Sequence, residues 1–354
     1  MFDTHQAAVL ATAAVTPLGN DIQSICDALY AGKNAFSVPR HFDAKGLVAA
    51  VDHSLDSDEN DSRASRLLKK LKSAITFPIP PDTQLFLSTT VGAIDRLENG
   101  ENCDSSENLL ETARELFALS DAVLISAACA SGQTAVSFAM EQLAAGQCRY
   151  ALVIGCDITS EFVTSGFTAL GAVSKSICRP YDTGRDGLVL GEAAGALLLS
   201  RDGNGEGRIL NAVESCDAAH ITAPDLNGTI LKEAIARAIA DTGNIGGIIG
   251  HGTGTKYNDL AEINALKQIF PENMPPLYSL KGNLGHTLGA TGILQIITGL
   301  EFSRRGLMPP QANLLDPEIP AVSNQTQKLL SPRLLTLNVG FGGVNSALIL
   351  EAEK

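Results

Sequence analysis

The segment Val123-Leu124-Ile125-Ser126-Ala127-Ala128-Cys129-Ala130-Ser131-Gly132 contains an apolar run that stops at a turn of small residues. A helical pattern of apolar residues follows it, at positions 135, 136, 138, 139 and 143. We therefore expect Cys129 between a strand and a helix, close to the helix N-terminus, where unpaired N–H groups and the macrodipole favour negative charge. Thiols in such places have pKa values of roughly 3.5–7.5. Cys129 is thus a candidate nucleophile; alternatively, it is a buried cysteine that packs as a small hydrophobic residue.

Strand and helix patterns alternate along the rest of the chain, which is typical of the α/β class. Apolar runs predict strands at residues 7–15, 85–89, 122–126, 151–155, 194–200, 209–213, 245–250, 277–279, 334–338 and 346–351. Helical patterns cover residues 22–31, 131–145, 229–241 and 259–269.

A weak internal repeat divides the chain into two halves. Gly191–Leu199 has the sequence GEAAGALLL and Gly342–Leu350 has the sequence GGVNSALIL, so that Gly, Ala, Leu and Leu coincide. We expect each copy to be the terminal β-hairpin strand of its half. The predicted units are residues 1–202, which carry Cys129, and residues 203–354, with a turn-rich connector at Arg201–Gly207.

Composition excludes several classes of protein. The chain has 354 residues, 45% of them hydrophobic, and a net charge of −13, so it has no basic excess with which to bind nucleic acid. Seven cysteines without a Cys-x-x-Cys pair predict neither a zinc site nor a disulfide framework, which indicates a reducing compartment. Met1–His5 lacks the basic region of a signal peptide, and no apolar stretch reaches the roughly 20 residues of a membrane helix. We expect a soluble, cytoplasmic protein without a membrane partner.

Two histidines occupy loops of small residues. His251 follows an apolar run and is surrounded by glycines, and His286 lies five residues after Lys281 in another glycine-rich turn. Glycines at such positions permit close approach of a ligand. Each histidine could instead be structural. A fourth glycine-rich loop, residues 338–345, could be a bulge or a hairpin turn.

These segments, in this order, resemble those of a known family. The matching motifs are Ala128-Cys129-Ala130-Ser131-Gly132, His251-Gly252-Thr253-Gly254-Thr255, Lys281-x4-His286-x2-Gly289-Ala290 and Gly340-Phe341-Gly342-Gly343, with further matches at Val15–Asn20, Arg179–Asp182, Arg185–Gly187 and Asp217–Pro224. The chain resembles, essentially end to end, the condensing β-ketoacyl-acyl-carrier-protein synthases, of the elongating Cys-His-His type in the thiolase superfamily. The resemblance implies a five-layer αβαβα sandwich of two similar halves, usually a dimer.

The resemblance also implies a reaction, a decarboxylative Claisen condensation in fatty-acid or type II polyketide-like synthesis. Cys129 would accept an acyl group from an acyl carrier protein, and His251 and His286 would stabilise the enolate formed when malonyl carrier protein loses CO₂. Lys281 would orient or tune His286. The N–H groups of Cys129 and Phe341 would form an oxyanion hole, and the Phe341 ring would gate the acyl pocket.

The substrate arm is phosphopantetheine, which arrives on the carrier protein, so the resemblance implies no metal and no resident cofactor. Its implied binding residues are Thr222, Thr253, Thr255, Gly342 and Gly343. Carrier proteins of this kind are acidic, and the basic segment that follows the acidic residues 52–62 is the candidate docking helix. Its cations are Arg63, Arg66, Lys69, Lys70 and Lys72. A solvated helix face is the alternative interpretation of this charge run.

The chain departs from the family pattern in several places. A stretch that lines the acyl pocket and the dimer interface is missing, since Cys103–Leu119 leads almost directly into Val123. Gln295 replaces a common glutamate, and Gly282 replaces a common serine. The trimmed segments favour a specialised pathway, such as one that makes aryl polyenes or similar pigments.

Three alternatives compete with an active elongating synthase. A chain-length-factor-like subunit, paired with a separate ketosynthase, is favoured by the missing interface stretch but usually lacks the nucleophile. A thiolase would need a second cysteine near the C-terminus, and none follows Cys216. An initiating synthase of the Cys-His-Asn type would carry asparagine in place of His286.

Overall fold

The structure is a computed structural model that describes residues 6–56 and 61–353. Met1–His5, on which the expectation about a signal peptide rests, and Asp58 and Glu59 of the acidic run lie outside the described residues. No helix among the described residues is long and apolar enough to cross a membrane.

Strands and helices alternate as the sequence predicts. The strands are β1 (Ala7–Val15), β2 (Phe36–Ser37), β3 (Ala49–Ala50), β4 (Thr83–Ser88), β5 (Ala122–Ile125), β6 (Tyr150–Asp157), β7 (Leu190–Gly191), β8 (Ala193–Ser200), β9 (Gly207–Cys216), β10 (Gly247–Ile249), β11 (Leu277–Tyr278), β12 (Leu307–Met308), β13 (Gln327–Lys328), β14 (Leu334–Val339) and β15 (Val344–Ala352). The helices are α1 (Ile22–Tyr30), α2 (Arg63–Ala74), α3 (Ile94–Glu98), α4 (Ser105–Phe117), α5 (Ser131–Ala144), α6 (Glu161–Ala169), α7 (Thr229–Ile239), α8 (Lys256–Ile269), α9 (Lys281–Leu284) and α10 (Thr291–Arg305). Every predicted strand and helix is present, with its ends displaced by a few residues.

The two halves have the same sheet topology. The first half has the strand order β5-β4-β6-β8-β1 and the second has β11-β10-β14-β15-β9. In each half the first three strands of this order are parallel and the last two are antiparallel to their neighbours. The halves join where β1 pairs with β9. The duplication predicted from the weak repeat is therefore present, and the predicted boundary at residue 202 falls in the connector between β8 and β9.

The repeated segments occupy equivalent places, because β8 and β15 are each the fifth strand of their half in chain order. The prediction that both are hairpin strands is wrong for the first copy. β15 forms a hairpin with β14, whereas β8 pairs with β6 and β1, which are distant in sequence. Helix α6 and a long loop separate β6 from β8 and prevent a tight turn between them.

Helices form the middle and the two outer layers. α5 and α10 contact strands of both halves, while α2 and α4 cover the first half and α7 covers the second. Buried apolar residues lie on all sides of α10, as expected for a helix between two sheets. These layers give the αβαβα sandwich, and the loops that follow β5 and β10 reach one region, where Cys129 and His251 line the same cavity.

Candidate active site

Cys129 lies in a tight turn between β5 and α5, as the sequence predicts. Ala128, the residue before it, has a φ of 50°, in the left-handed region that non-glycine residues rarely adopt. Side-chain hydrogen bonds hold this turn: Ser131 Oγ accepts from the Ala127 N–H at 2.8 Å and donates to the Ala128 carbonyl, which also accepts from Thr90 Oγ1 at 3.1 Å. The Cys129 side chain is thereby held at the wall of a cavity of about 400 Å³, with 4% of the residue exposed.

His251 and His286 reach the same cavity from the second half of the chain. His251 follows β10, and His286 follows α9. Their rings meet edge to face with centroids 5.5 Å apart, and both side chains are buried. The structure therefore brings together three residues that are up to 157 positions apart in the sequence.

Both imidazoles are held in one tautomer. His286 Nδ1 accepts the N–H of Leu288 at 3.1 Å, and His251 Nδ1 lies 3.3 Å from Nζ of Lys281. Because each Nδ1 faces a donor, the proton of each neutral ring belongs on Nε2. Burial, followed by the positive charge of Lys281, holds the pKa of both rings well below the ordinary histidine value. Two neutral N–H donors are thus available at one cavity.

Lys281 contacts a different histidine from the predicted one. Its ammonium group lies against Nδ1 and the main-chain carbonyl of His251. Of the two roles predicted for it, orienting or tuning His286, these contacts do not support the first, whereas its charge does lower the pKa of His286. The turn at α9 brings Nζ to the end of β10, and only its electrostatic influence extends to His286. Burial lowers the pKa of Lys281 to about 8.

The predicted low pKa of Cys129 is also wrong. Burial raises the pKa of this thiol to about 12 and outweighs the attraction of Lys281 and the hydrogen bonds from the N–H groups of Cys129 and Phe341. The sequence pattern indicated the helix end but not the removal of water from the thiol. The N–H groups of Cys129 and Phe341 both oppose this rise in pKa, so both lie near the sulfur.

Two family models match the chain in tandem. The model of the β-ketoacyl synthase N-terminal domain matches residues 120–204, and that of the C-terminal domain matches residues 207–315, so together they cover more than half of the chain. The chain belongs to the β-ketoacyl synthase family. The resemblance inferred from the four motifs is thereby confirmed.

Curated relatives and solved structures agree with this membership. The 3-oxoacyl-(acyl-carrier-protein) synthase 2 of Mycobacterium leprae is 34% identical over 62% of this chain and 58% of its own length, so the chain spans less than two thirds of that relative. The protein of the same name from Synechocystis sp. is 26% identical over 98% of both chains. A chain from the complex of a ketosynthase with its chain length factor from Xenorhabdus doucetiae is 26% identical, with a TM-score of 0.83 over 99% of this chain and 98% of its own. The thiolase-like fold class is confirmed.

In this member of the β-ketoacyl synthase family, two carboxylates that the sequence analysis missed support the His251 loop. Glu262 accepts the N–H groups of His251 at 2.6 Å and Gly252 at 2.9 Å, and Asp259 accepts that of Thr253 at 2.9 Å. Both acids are buried on the face of α8 that meets this loop. Their spacing of three residues, directly after the histidine motif, is the sequence signal that could have identified them.

The glycine-rich loop after β14 carries Phe341 to the cavity. Gly343 has a φ of 83°, and a Cβ atom there would lie 1.7 Å from the carbonyl oxygen of Asp217, so this position requires glycine. Phe341 is 36% exposed, and its ring centroid lies 5.6 Å from that of Phe167 on α6. Phe167 also lies 6.3 Å from the His286 ring, and no motif in the sequence pointed to it.

Four of the five residues implied for the substrate arm line the cavity, namely Thr222, Thr253, Thr255 and Gly343. Gly342 instead donates its N–H to the carbonyl of Ile221 at 2.7 Å. The departure at Gly282 has a steric cause. A Cβ atom at this position would lie 2.6 Å from Nε2 of Gln311 and 3.0 Å from the carbonyl oxygen of Ala312, so a serine side chain requires the Gln311 amide, which bonds Ser279, to move.

The docking helix predicted from the charge run is α2, and Arg63 is excluded from its surface. Arg63 is 1% exposed and pairs with Glu192 at 2.7 Å and Asp56 at 2.7 Å. Its α2 position faces the core, where a cation must be paired, and breaking such a buried pair costs about 3–5 kcal/mol. The other cations also have partners: Lys69 pairs with Asp61, Lys70 with Asp52, Arg66 donates to the Asp61 carbonyl, and Lys72 lies over the Phe117 ring.

Proposed function

We propose that this protein is a β-ketoacyl-acyl-carrier-protein synthase that performs decarboxylative Claisen condensation. The observation that carries the proposal is one cavity, open at its mouth, at which Cys129, the neutral imidazoles of His251 and His286, and the N–H groups of Cys129 and Phe341 converge. This set supplies a nucleophile and two separate pairs of hydrogen-bond donors, which the two halves of the reaction require.

Acyl transfer is the first step. The Cys129 sulfur attacks the thioester carbonyl of the incoming acyl group, and the oxyanion accepts hydrogen bonds from the N–H groups of Cys129 and Phe341. The thiol is protonated before the reaction, since its pKa is about 12. Its proton leaves with the pantetheine sulfur, so that one thioester forms, one breaks and a free thiol departs.

Decarboxylation follows in the same cavity. The carbon–carbon bond to the carboxylate of the malonyl group breaks, CO₂ leaves, and the electron pair forms an enolate. Its oxygen accepts hydrogen bonds from Nε2 of His251 and Nε2 of His286. Neutral rings suit this role because they donate without adding a net charge to the buried site, and positioned donors of this kind contribute about 3–4 kcal/mol each.

Condensation completes the cycle. The enolate carbon attacks the acyl-Cys129 carbonyl, the new carbon–carbon bond forms, and the sulfur of Cys129 is expelled. One proton is taken up to restore the thiol. The product is a β-ketoacyl thioester two carbons longer on the carrier protein.

The threonines at the cavity support phosphopantetheine as the arm that delivers both substrates. Thr253 and Thr255 Oγ1 atoms lie 2.8 Å apart, and Thr222 lies on the opposite loop of the same cavity. Hydroxyls in such a channel can bind the amide groups of the arm. The arm would enter with the carrier, so the proposal requires no resident cofactor.

A partner chain is proposed for the edge strand β5. Among the described residues β5 pairs only with β4, and its four apolar residues, Ala122–Ile125, are half-buried. An apolar edge with unpaired backbone groups favours pairing with another chain. We propose a second copy or a related ketosynthase-like subunit here, and sedimentation velocity of the purified chain, alone and with candidate subunits, distinguishes the two.

The experiment that tests the function is incubation with an acyl-carrier thioester, followed by malonyl carrier protein and by peptide mass mapping. We expect an acyl adduct on Cys129 in the first stage and a β-ketoacyl carrier in the second. An adduct on another cysteine, with Cys129 unmodified, contradicts the proposal. If neither stage occurs with the chain alone, but both occur after a separate ketosynthase is added, the protein is the chain-length-factor-like subunit, the alternative that the missing interface stretch favours.

Carrier docking is proposed at the cavity mouth, and the exposed cations of α2 are a second candidate surface. Lys256 is exposed and lines the mouth, and Lys69 is the most exposed of the α2 cations that pair with a carboxylate. Because the chain carries a net charge of −13, an acidic carrier needs local cations. We expect Lys256→Glu, and more weakly Lys69→Glu, to raise KM for carrier-bound substrates several-fold and to reduce its dependence on salt.

The control substrate for docking is an unphosphorylated pantetheine thioester, whose turnover should change little. The control variant is Lys267→Glu, which reverses an exposed charge in the last turn of α8. Equal losses with both substrates would indicate a folding defect. Unchanged KM values in both test variants would place the docking surface elsewhere.

A further inference from the structure

Both the nitrogen and the oxygen of the Gln295 side-chain amide, on α10, form hydrogen bonds in a buried network. Its Nε2 donates to the main-chain carbonyl of Gly250 at 3.0 Å and to that of Leu337 at 3.2 Å. Its Oε1 accepts from Nε2 of Gln133 at 3.0 Å and from Nδ2 of Asn338. Gln295 itself is buried, so this one side chain joins four groups that water does not reach.

Each partner belongs to a segment that carries part of the candidate active site. Gly250 immediately precedes His251, and Gln133 is on α5, four residues after Cys129. Leu337 and Asn338 are on β14, which leads into the loop of Phe341. α10 follows the turn that contains His286. The amide therefore lies where the segments that bear the nucleophile, the first histidine and the oxyanion hole meet.

Only a neutral amide of this length satisfies these contacts. Two partners are carbonyl oxygens that need donors, and two are N–H groups that need an acceptor. A carboxylate of the same shape has no donor for the carbonyls when it is ionised, and buried ionised groups without a partner are costly. A methionine has the same reach but forms none of the four hydrogen bonds. Gln133 Nε2 then keeps its bond to Thr336 Oγ1, and the Leu337 carbonyl and Asn338 Nδ2 keep their bond to each other.

We propose that Gln295 is a positioning residue that sets the main-chain position of His251 relative to Cys129 and the Phe341 loop. The proposal rests on the proposed function, in which His251 donates to the enolate. Displacement of the Gly250 carbonyl moves the residue that follows it, and a shift of about 1 Å in a donor can cost on the order of 100-fold in rate. Gln295 does not touch the reacting atoms in this scheme, because it acts through Gly250.

The test compares Gln295→Glu with Gln295→Met and with the control Thr298→Val. Thr298 is buried one turn along α10, and its hydroxyl bonds only the carbonyl of Leu294 among the contacts that the structure describes. We expect both Gln295 variants to lower kcat for malonyl decarboxylation at least tenfold with little change in KM. Thr298→Val should keep the parental kcat even where its melting temperature falls.

A second readout does not depend on ketosynthase activity. The NMR resonance of the His251 ring should shift in both Gln295 variants, whereas that of His53, which bonds Ser37 and Asp56, should not. If the parental protein lacks condensing activity, the proposed function fails while this readout still tests the position of His251. Folded Gln295 variants with parental kcat and an unchanged His251 resonance overturn the positioning role. The positioning role is also overturned if Thr298→Val loses kcat to the same extent as the Gln295 variants. If Gln295→Glu does not fold, the comparison is made with Gln295→Met alone.

Discussion

A Cys129→Ala variant should lose condensation by on the order of 10⁴-fold or more and should continue to decarboxylate malonyl carrier protein. The sulfur is the atom that holds the acyl group between the two half-reactions, and nothing else in the turn between β5 and α5 can form that thioester. The enolate donors, His251 and His286, belong to other loops and keep their own support in this variant. Product mass and CO₂ release, measured on the same sample, separate the two outcomes.

Cys156→Ala is the matched control for this experiment. Cys156 is another buried cysteine of the first half, on β6, and its thiol bonds the carbonyl of Ala64. We expect this variant to condense at close to the parental rate. Condensation by Cys129→Ala contradicts the assignment of the nucleophile. If Cys129→Ala lost decarboxylation as severely as condensation, the two half-reactions would not be divided between Cys129 and the histidines.

His251→Ala and His286→Ala should each lower malonyl decarboxylation by roughly 10²–10³-fold, the usual effect of removing one preorganised donor. Acylation of Cys129 should fall much less, because its oxyanion is bound by the N–H groups of Cys129 and Phe341. Stopped-flow acylation and steady-state CO₂ release measure the two steps separately. His286→Asn retains an N–H donor near the same place, and we expect it to recover part of the lost rate.

His53→Ala serves as the control for these histidine variants. Its ring lies near α2, between Ser37 and Asp56, and it is not among the residues that line the cavity. Decarboxylation at the parental rate in both His251→Ala and His286→Ala would show that the enolate is stabilised by other groups. Equal losses of acylation and decarboxylation would instead indicate a general disturbance of the cavity.

Local patterns in the sequence were sufficient for the ten predicted strands, for the four predicted helices and for the place of Cys129. The apolar run at residues 122–126 and the helical spacing after Ser131 depend on neighbours within a few positions. β5 and α5 form where these patterns predict them, and the turn between them holds the cysteine. The weak match between the segments of β8 and β15 also indicated the duplication, because equivalent strands bury the same kinds of side chain.

The sequence was a poorer guide to charge. An α2 cation such as Arg63 looks the same in a sequence whether it faces water or the core, and only packing against Glu192 decides that it is buried. The pKa of Cys129 was likewise misjudged, because a helix N-terminus is visible as a local pattern whereas loss of water depends on the surrounding layers.

The sequence by itself determined the α/β elements, the duplicated halves and the identity of the residues that can react, since these follow from local spacing and side-chain chemistry. Only the tertiary structure decided which of those residues meet. Lys281 faces His251 rather than His286, and Gln295 joins the segments of Cys129, His251 and Phe341. The physical reason is that these contacts join distant parts of the chain, and their direction and strength depend on burial between two sheets.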